Sequence, residues 1–244
     1  MVNMDELHIQ NLQDGWSKLY VYLAKNLIDH HGIEGESALR QGIRKYGIDR
    51  GIALRRKHLE YGLKPNLFIL FTYGDLPADT RFRRKTVLLN SQQRLAETLA
   101  CPVAQMWITM DAKKLGRIYC EEFHHACFAA YAPRAQINLA KSLTQDGDDY
   151  CQFSFYLRPA NMDVEERRNA FEEFDPAYNP PANNYPVVSA RDGFEMLAIK
   201  LYYNITDTAI DVLGEKVEGT IKQATKQFAI DLGDFLKTKA DNVQ

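Results

Sequence analysis

The sequence predicts an α+β fold: helices packed on a small, mainly antiparallel sheet, with a long helical C-terminal region. Three observations carry that expectation. Residues 4–63 and 189–240 repeat apolar residues at helical spacing. The middle of the chain holds short apolar or alternating runs bounded by turn formers. Five of the nine prolines fall in 159–187 and mark an irregular connection between the two parts. The expected organisation is a single domain over 1–244, with N-terminal helices at 4–63, an α+β core at about 64–158, the Pro-rich connection and C-terminal helices.

Each element has its own signal. Leu12, Trp16, Leu19, Tyr20, Leu23 and Leu27 share one face of a helix over 4–29, and Gly32 is placed to end it. A second, basic helix covers about 34–63. It contains Gly42, Gly47 and Gly51, each costing about 1 kcal/mol relative to Ala in a helix, so close packing or a local break is expected there. Asn66–Tyr73 is a short apolar run between Pro65 and Gly74 and reads as a strand. Arg81–Leu89 reads as a second strand. Ser91 is placed to cap a helix over 92–100, and Pro102 opens a short helix with Met106 and Trp107. A helix follows over Ala112–Tyr131. Strands over Gln136–Leu143 and Tyr150–Leu157 flank the turn Gln145-Asp146-Gly147-Asp148 and should pair as a hairpin. Alternation puts Cys151, Phe153 and Phe155 on one face of the last strand. Ser189 is placed to start the C-terminal helices, which Gly214, Gly219 and Gly233 could divide.

Composition excludes several classes. The chain has 244 residues, 45% hydrophobic and 25% charged, with 30 Lys+Arg against 32 Asp+Glu. That balance speaks against a dedicated nucleic-acid binder and against a disordered chain. No apolar run reaches the roughly 18–20 residues of a membrane span. The N-terminal residues lack the pattern of a secretory signal, so a cytoplasmic, reducing compartment is expected, with free thiols. Glycine-rich phosphate loops, Gly-x-Ser-x-Gly and His-Glu-x-x-His are absent.

All four cysteines, Cys101, Cys120, Cys127 and Cys151, lie in one stretch without a Cys-x-x-Cys. Cys120, His124 and Cys127 stand at i, i+4 and i+7 of a helix and share a face. Three readings stay open: a thiol activated by an imidazole, soft metal ligands in a poor tetrahedral arrangement, or a buried face on which His124 bonds a backbone carbonyl. Cys151 sits at an inward strand position just after a tight turn, which suits a rigidly held catalytic group as well as a core thiol. Among the arginines of the second helix, one pointing inward would hold a substrate carboxylate with a two-pronged bond.

The segments Gly35-Glu36-Ser37-Ala38-Leu39-Arg40, Tyr46-Gly47, Arg50-Gly51, Leu54-Arg55, His58 and Gly74-Asp75-Leu76 resemble the L-2-amino-thiazoline-4-carboxylic acid hydrolase family. So do Cys101-Pro102 with Trp107, Gly116-x-x-Tyr119-Cys120-Glu121-x-x-His124 and Gly147-Asp148-x-x-Cys151-x-Phe153. The likeness covers about residues 35–157. It implies hydrolytic opening of a cyclic amidine to a carbamoyl amino acid. The Gly-Asp-x-x-Cys strand also looks like the end of small α+β domains named after vinyl reductase, which bind small molecules or act as assembly modules. That likeness supplies the alternative of a non-catalytic module.

With the resemblance, the residue chemistry assigns Cys151 as nucleophile, His124 as acid/base and Glu121 as the carboxylate that orients a histidine or binds the amidinium. Arg40 or Arg50 would hold the substrate carboxylate, Trp107 would form an apolar wall, and Tyr119 and Asp148 complete the substrate-binding set. No metal or other cofactor is called for. The expected partner is a small-molecule substrate, not nucleic acid or membrane, and homo-oligomerisation is left open.

Overall fold

The computed structural model describes residues 4–175, 178, 184–186, 189 and 191–241. It begins with a long helical segment, α1 (Met4–Glu60), interrupted at Gly32 (φ 56°, ψ −130°), a backbone geometry that favours glycine. A straight helix would hold Trp16 and Tyr46 about 45 Å apart at 1.5 Å per residue. Instead both rings pack on one short stretch of α4 (Lys113–Tyr131). Trp16 meets Tyr119 edge-on at 5.5 Å, and Tyr46 lies 5.4 Å from Phe123. The chain therefore doubles back at Gly32, and α1 is two antiparallel helices joined by one residue.

The glycines of the second arm explain its close approach to α4. A Cβ on Gly47 would stand 3.0 Å from the Phe123 carbonyl, and one on Gly51 would collide with the Cys127 carbonyl. The first arm is covered by α7 (Glu218–Asp241). Lys18 reaches Asp231 at 2.7 Å, Asn26 reaches Gln227 at 2.9 Å, and His31 reaches the Thr220 hydroxyl at 2.9 Å. Between them in sequence, α6 (Met196–Leu213) ends at Gly214 and packs Ile205 against Gly42 of α1. Gly214 is thus a true divider, whereas Gly219 and Gly233 lie inside α7. Ser189 accepts the amide of Asp192 at 3.0 Å ahead of α6, where its N-cap role was expected.

The sheet has four antiparallel strands in the order β1-β2-β4-β3: β1 (Arg83–Leu89), β2 (Gln93–Ala100), β3 (Gln136–Lys141) and β4 (Cys151–Tyr156). The α+β class and the β3–β4 hairpin are as the sequence predicts. Two elements are corrected. Residues 66–73 form a helix, α2 (Leu67–Thr72), because Asn66 caps it by accepting the Ile69 amide at 3.1 Å. Residues 92–100 form β2 and not a helix: the Asn90 side chain takes the amides of Gln92 and Gln93 at 2.9 Å each and turns the chain into pairing with β1 and β4. Helix-favouring residues there yield to tertiary pairing. α3 (Pro102–Thr109) follows, capped by the Cys101 thiol, which accepts the Ala104 amide at 3.5 Å. Within the connection expected to be irregular, α5 (Val164–Ala170) forms behind a capping box of Asp163 and Glu166.

Register assigns the inner face of the sheet row by row, since residues directly opposite share a face. Arg84 stands opposite Thr98, which stands opposite Cys151; Thr86, Ala96 and Phe153 form the next row; Leu89, Arg94 and Phe155 form the third. Phe71 of α2 and Phe128 of α4 pack on this face, each 4.9 Å from Phe155. No helix among the described residues is long and apolar enough to cross a membrane.

Candidate active site

The second arm of α1 and the turn after α2 place Arg50 beside Asp75. Nε and Nη2 of Arg50 each donate to one carboxylate oxygen at 2.7 Å. Burial alone would raise the Asp75 carboxyl, yet the guanidinium holds it below the usual carboxylate range. Tyr46, one turn before Arg50, and Tyr119 of α4 are buried, and among the described residues neither hydroxyl has an acceptor for its proton. The buried indole nitrogen of Trp16 lies beside the Tyr46 hydroxyl. Buried polar atoms without a partner are rare in a folded interior, where each costs about 1–3 kcal/mol. These groups meet where the two arms of α1 pack on α4, with Trp16 edge-on to Tyr119 and Tyr46 beside Phe123.

His124 lies one turn beyond Tyr119 and Cys120. Its Nδ1–H donates to the Cys120 carbonyl at 2.9 Å, so the proton of the neutral ring is on Nδ1 and Nε2 carries a lone pair. Among the described residues nothing bonds Nε2. Burial pushes the ring down to about 4, and the charges of His125, Arg50 and Arg84 add to that effect. The imidazole meets Phe153 of the sheet edge-on at 4.9 Å. It therefore adjoins the inner sheet face within the field of Arg50.

Three thiols lie at the sheet side of α4. Cys151 accepts the Leu143 amide at 3.3 Å. Burial raises its thiol, while that amide and the Ser142 hydroxyl pull it back. Cys101 is pushed up to about 11, and Cys120 further still, in both cases by burial first. These are neutral thiols at pH 7. No group of three or more His, Cys, Asp or Glu among the described residues is arranged to hold a metal ion.

The residues named from sequence divide into those near this centre and those elsewhere. Arg50, Tyr119 and His124 lie on or against the same stretch of α4, and Cys151 lies two residues before the Phe153 that touches His124, although no hydrogen bond joins His124 to either Cys151 or Cys120 through sulfur. The activated pair on one helix face is thus replaced by a bond from His124 to the Cys120 carbonyl. Trp107 is 1% exposed and donates its indole N–H to the Ser17 carbonyl at 3.1 Å, within the helical core. Arg40 bonds Glu36 at 2.8 Å, Glu122 at 2.8 Å and Glu121 at 3.2 Å. Glu121 also pairs with Arg117 at 2.7 Å, so this lattice joins α1 to α4 at the surface. Asp148 accepts the Ser142 amide at 2.9 Å and shapes the β3–β4 turn.

Asp75, Tyr46, Arg84 and Arg94 carry no site role in the sequence alone, although Tyr46 and Asp75 stand in segments of the family resemblance. Asp75 could have been found as the carboxylate in Gly74-Asp75 that answers an inward arginine. Arg84 and Arg94 were hidden because the second of them was read as helical.

A family model described as L-2-amino-thiazoline-4-carboxylic acid hydrolase matches residues 16–155. The chain belongs to that family. The matched span of this L-2-amino-thiazoline-4-carboxylic acid hydrolase family member contains Trp16, Arg50, Asp75, Arg84, Arg94, His124 and Cys151, and ends before α6 and α7. No curated protein and no solved structure matches the chain.

Proposed function

We propose that the protein is a hydrolase that opens a small ring, an amidine or amide-like group bearing a carboxylate, to a carbamoyl amino acid-like product. His124 carries this reading: a neutral imidazole with Nδ1 fixed and Nε2 free, placed within the field of Arg50 and against an apolar sheet face. Such a ring takes a proton from a water molecule as that water attacks.

The water oxygen bonds to the amidine carbon, and its proton passes to Nε2. The tetrahedral intermediate collapses, the bond from that carbon to the ring sulfur breaks, and sulfur leaves with the electron pair. The sulfur then takes the proton held by Nε2, the remaining hydroxyl proton passes to the former ring nitrogen, and the carbon is left as a urea-type carbonyl. Tyr46 and Tyr119 supply unsatisfied donors for polar atoms of a bound ligand. Direct attack by Cys151 is a second reading, favoured by the Leu143 amide that donates to its sulfur and would stabilise a thiolate.

The test is a turnover screen of the purified chain over 2-amino-thiazoline-4-carboxylate, other cyclic amidines and lactams, following released thiol and ureido product. Ring opening by the wild-type chain, lost by 100-fold or more in His124→Ala, is expected. Absence of ring opening across the panel, or full activity in that variant, overturns the reading.

A further inference from the structure

Arg94 projects from β2 onto the inner face of the sheet and is 8% exposed. Its guanidinium lies 4.0 Å from the Phe71 ring and 5.3 Å from that of Phe155. Among the described residues it has no carboxylate partner and no hydrogen bond. Arginine is almost never this enclosed without an anion, since leaving a buried charge unpaired costs several kcal/mol. Contact with aromatic faces recovers only part of that.

A second arginine in the register of the same face also lacks an anion among the described residues, although its side chain is exposed. Arg84 of β1 stands in the row of Thr98 and Cys151, stacks 4.0 Å from Phe82, and likewise has no ionic partner among the described residues. Burial and the neighbouring Arg84 hold Arg94 down to about 10, so it remains a cation at neutral pH. By contrast, Arg40, Arg44, Arg50, Arg81, Arg117 and Arg134 each hold a carboxylate.

Arg94 and Arg84 adjoin the centre described above. Phe153 is touched by His124 and stacks on Phe155 at 5.8 Å, and Phe155 lies under Arg94. Phe128 contacts His124, Phe71 and Phe155. One aromatic floor thus runs from the imidazole to the guanidinium.

We infer that Arg94 and Arg84 form a carboxylate-binding subsite on the inner face of the sheet, which anchors the acid group of a small ring while the ring itself lies over the aromatic floor toward His124. This rests on the hydrolase reading for the identity of the ring, but not for the binding of the acid. A guanidinium fork matches a carboxylate with two parallel hydrogen bonds. The apolar surround strengthens them, and the anion would supply the charge that Arg94 lacks.

The test separates binding from chemistry. Thiazolidine-4-carboxylate, which lacks the amidine, and its methyl ester are titrated calorimetrically into the full chain, wild type, Arg94→Met and Arg84→Gln. The acid is expected to bind wild type at least tenfold tighter than the ester. Each substitution should bring the acid toward the ester and leave the ester unchanged. Arg84→Gln, at an exposed strand position, keeps the test valid if Arg94→Met fails to fold by circular dichroism. Equal binding of acid and ester by wild type, binding of neither, or unchanged acid affinity in the folded variants overturns the subsite. Arginine-dependent acid binding without ring opening of any cyclic amidine leaves the subsite standing and removes the hydrolase reading alone.

Discussion

Arg50 and Asp75 meet through two parallel hydrogen bonds of 2.7 Å, and this pair fastens the turn after α2 to the second arm of α1. Removing one partner leaves the other charge enclosed with nothing to answer it. Asp75→Asn and Arg50→Ala should each cost roughly 3 kcal/mol, the low end for a buried pair because both side chains keep some exposure. Urea unfolding monitored by tryptophan fluorescence measures it. A loss below about 1 kcal/mol would place the pair among ordinary surface bridges.

His124 sets the expected pH dependence. Its ring is held down to about 4, so ring opening should rise as pH increases through that value and then stay level across neutrality. An acid limb centred near the ordinary 6.5 would remove His124 as the base. Stability follows with a definite sign. Between 6.5 and about 4 the unfolded chain takes up a proton at this residue while the folded chain does not. His124 therefore subtracts from stability progressively as pH falls through that window. His58, lowered by burial and bonded to Tyr131 and the Tyr73 carbonyl, acts in the same direction. Unfolding midpoints at pH 7 and pH 5 test both.

The thiols should be quiet in the folded protein. Burial raises all four, with Cys101 at about 11 and Cys127 at about 12. At pH 7.5 a thiol reagent should label them slowly in buffer and rapidly in denaturant. Cys151→Ser should retain turnover within about tenfold if water is the attacking group. A collapse of 1,000-fold or more would transfer the nucleophile's role to the Cys151 sulfur.

Gly51 is the tightest point between α1 and α4. Gly51→Ala drives a methyl group into the Cys127 carbonyl and should destabilise by about 1–3 kcal/mol, despite the better helix propensity of alanine. Thermal unfolding decides it: a raised melting temperature would mean the helices separate without cost.

Much of this arrangement is legible in the residues, and the exceptions have physical causes. The helices of 4–60 and 113–131 follow from apolar spacing, and the three glycines of the second arm announce a close contact whose partner only the fold reveals. Short apolar runs are the hard case, because Leu67–Thr72 and Gln93–Ala100 exchange identities once an Asn66 cap and an Asn90 turn act. The site was half visible. His124, Arg50 and Tyr119 lie in recognisable segments, but an unpaired arginine is defined by what its neighbours lack, which no spacing along the chain encodes.

The single-residue reversal at Gly32 has a further effect. Because no loop separates the arms, chain length between Trp16 and Tyr46 fixes how the two helices face each other. One inserted residue would rotate the second arm by about 100°, the angular step of a 3.6-residue turn. That rotation would swing Arg50 away from Asp75 and carry the glycines off α4. The hinge is thus a molecular protractor: it ties the aim of an arginine to a bend eighteen residues upstream.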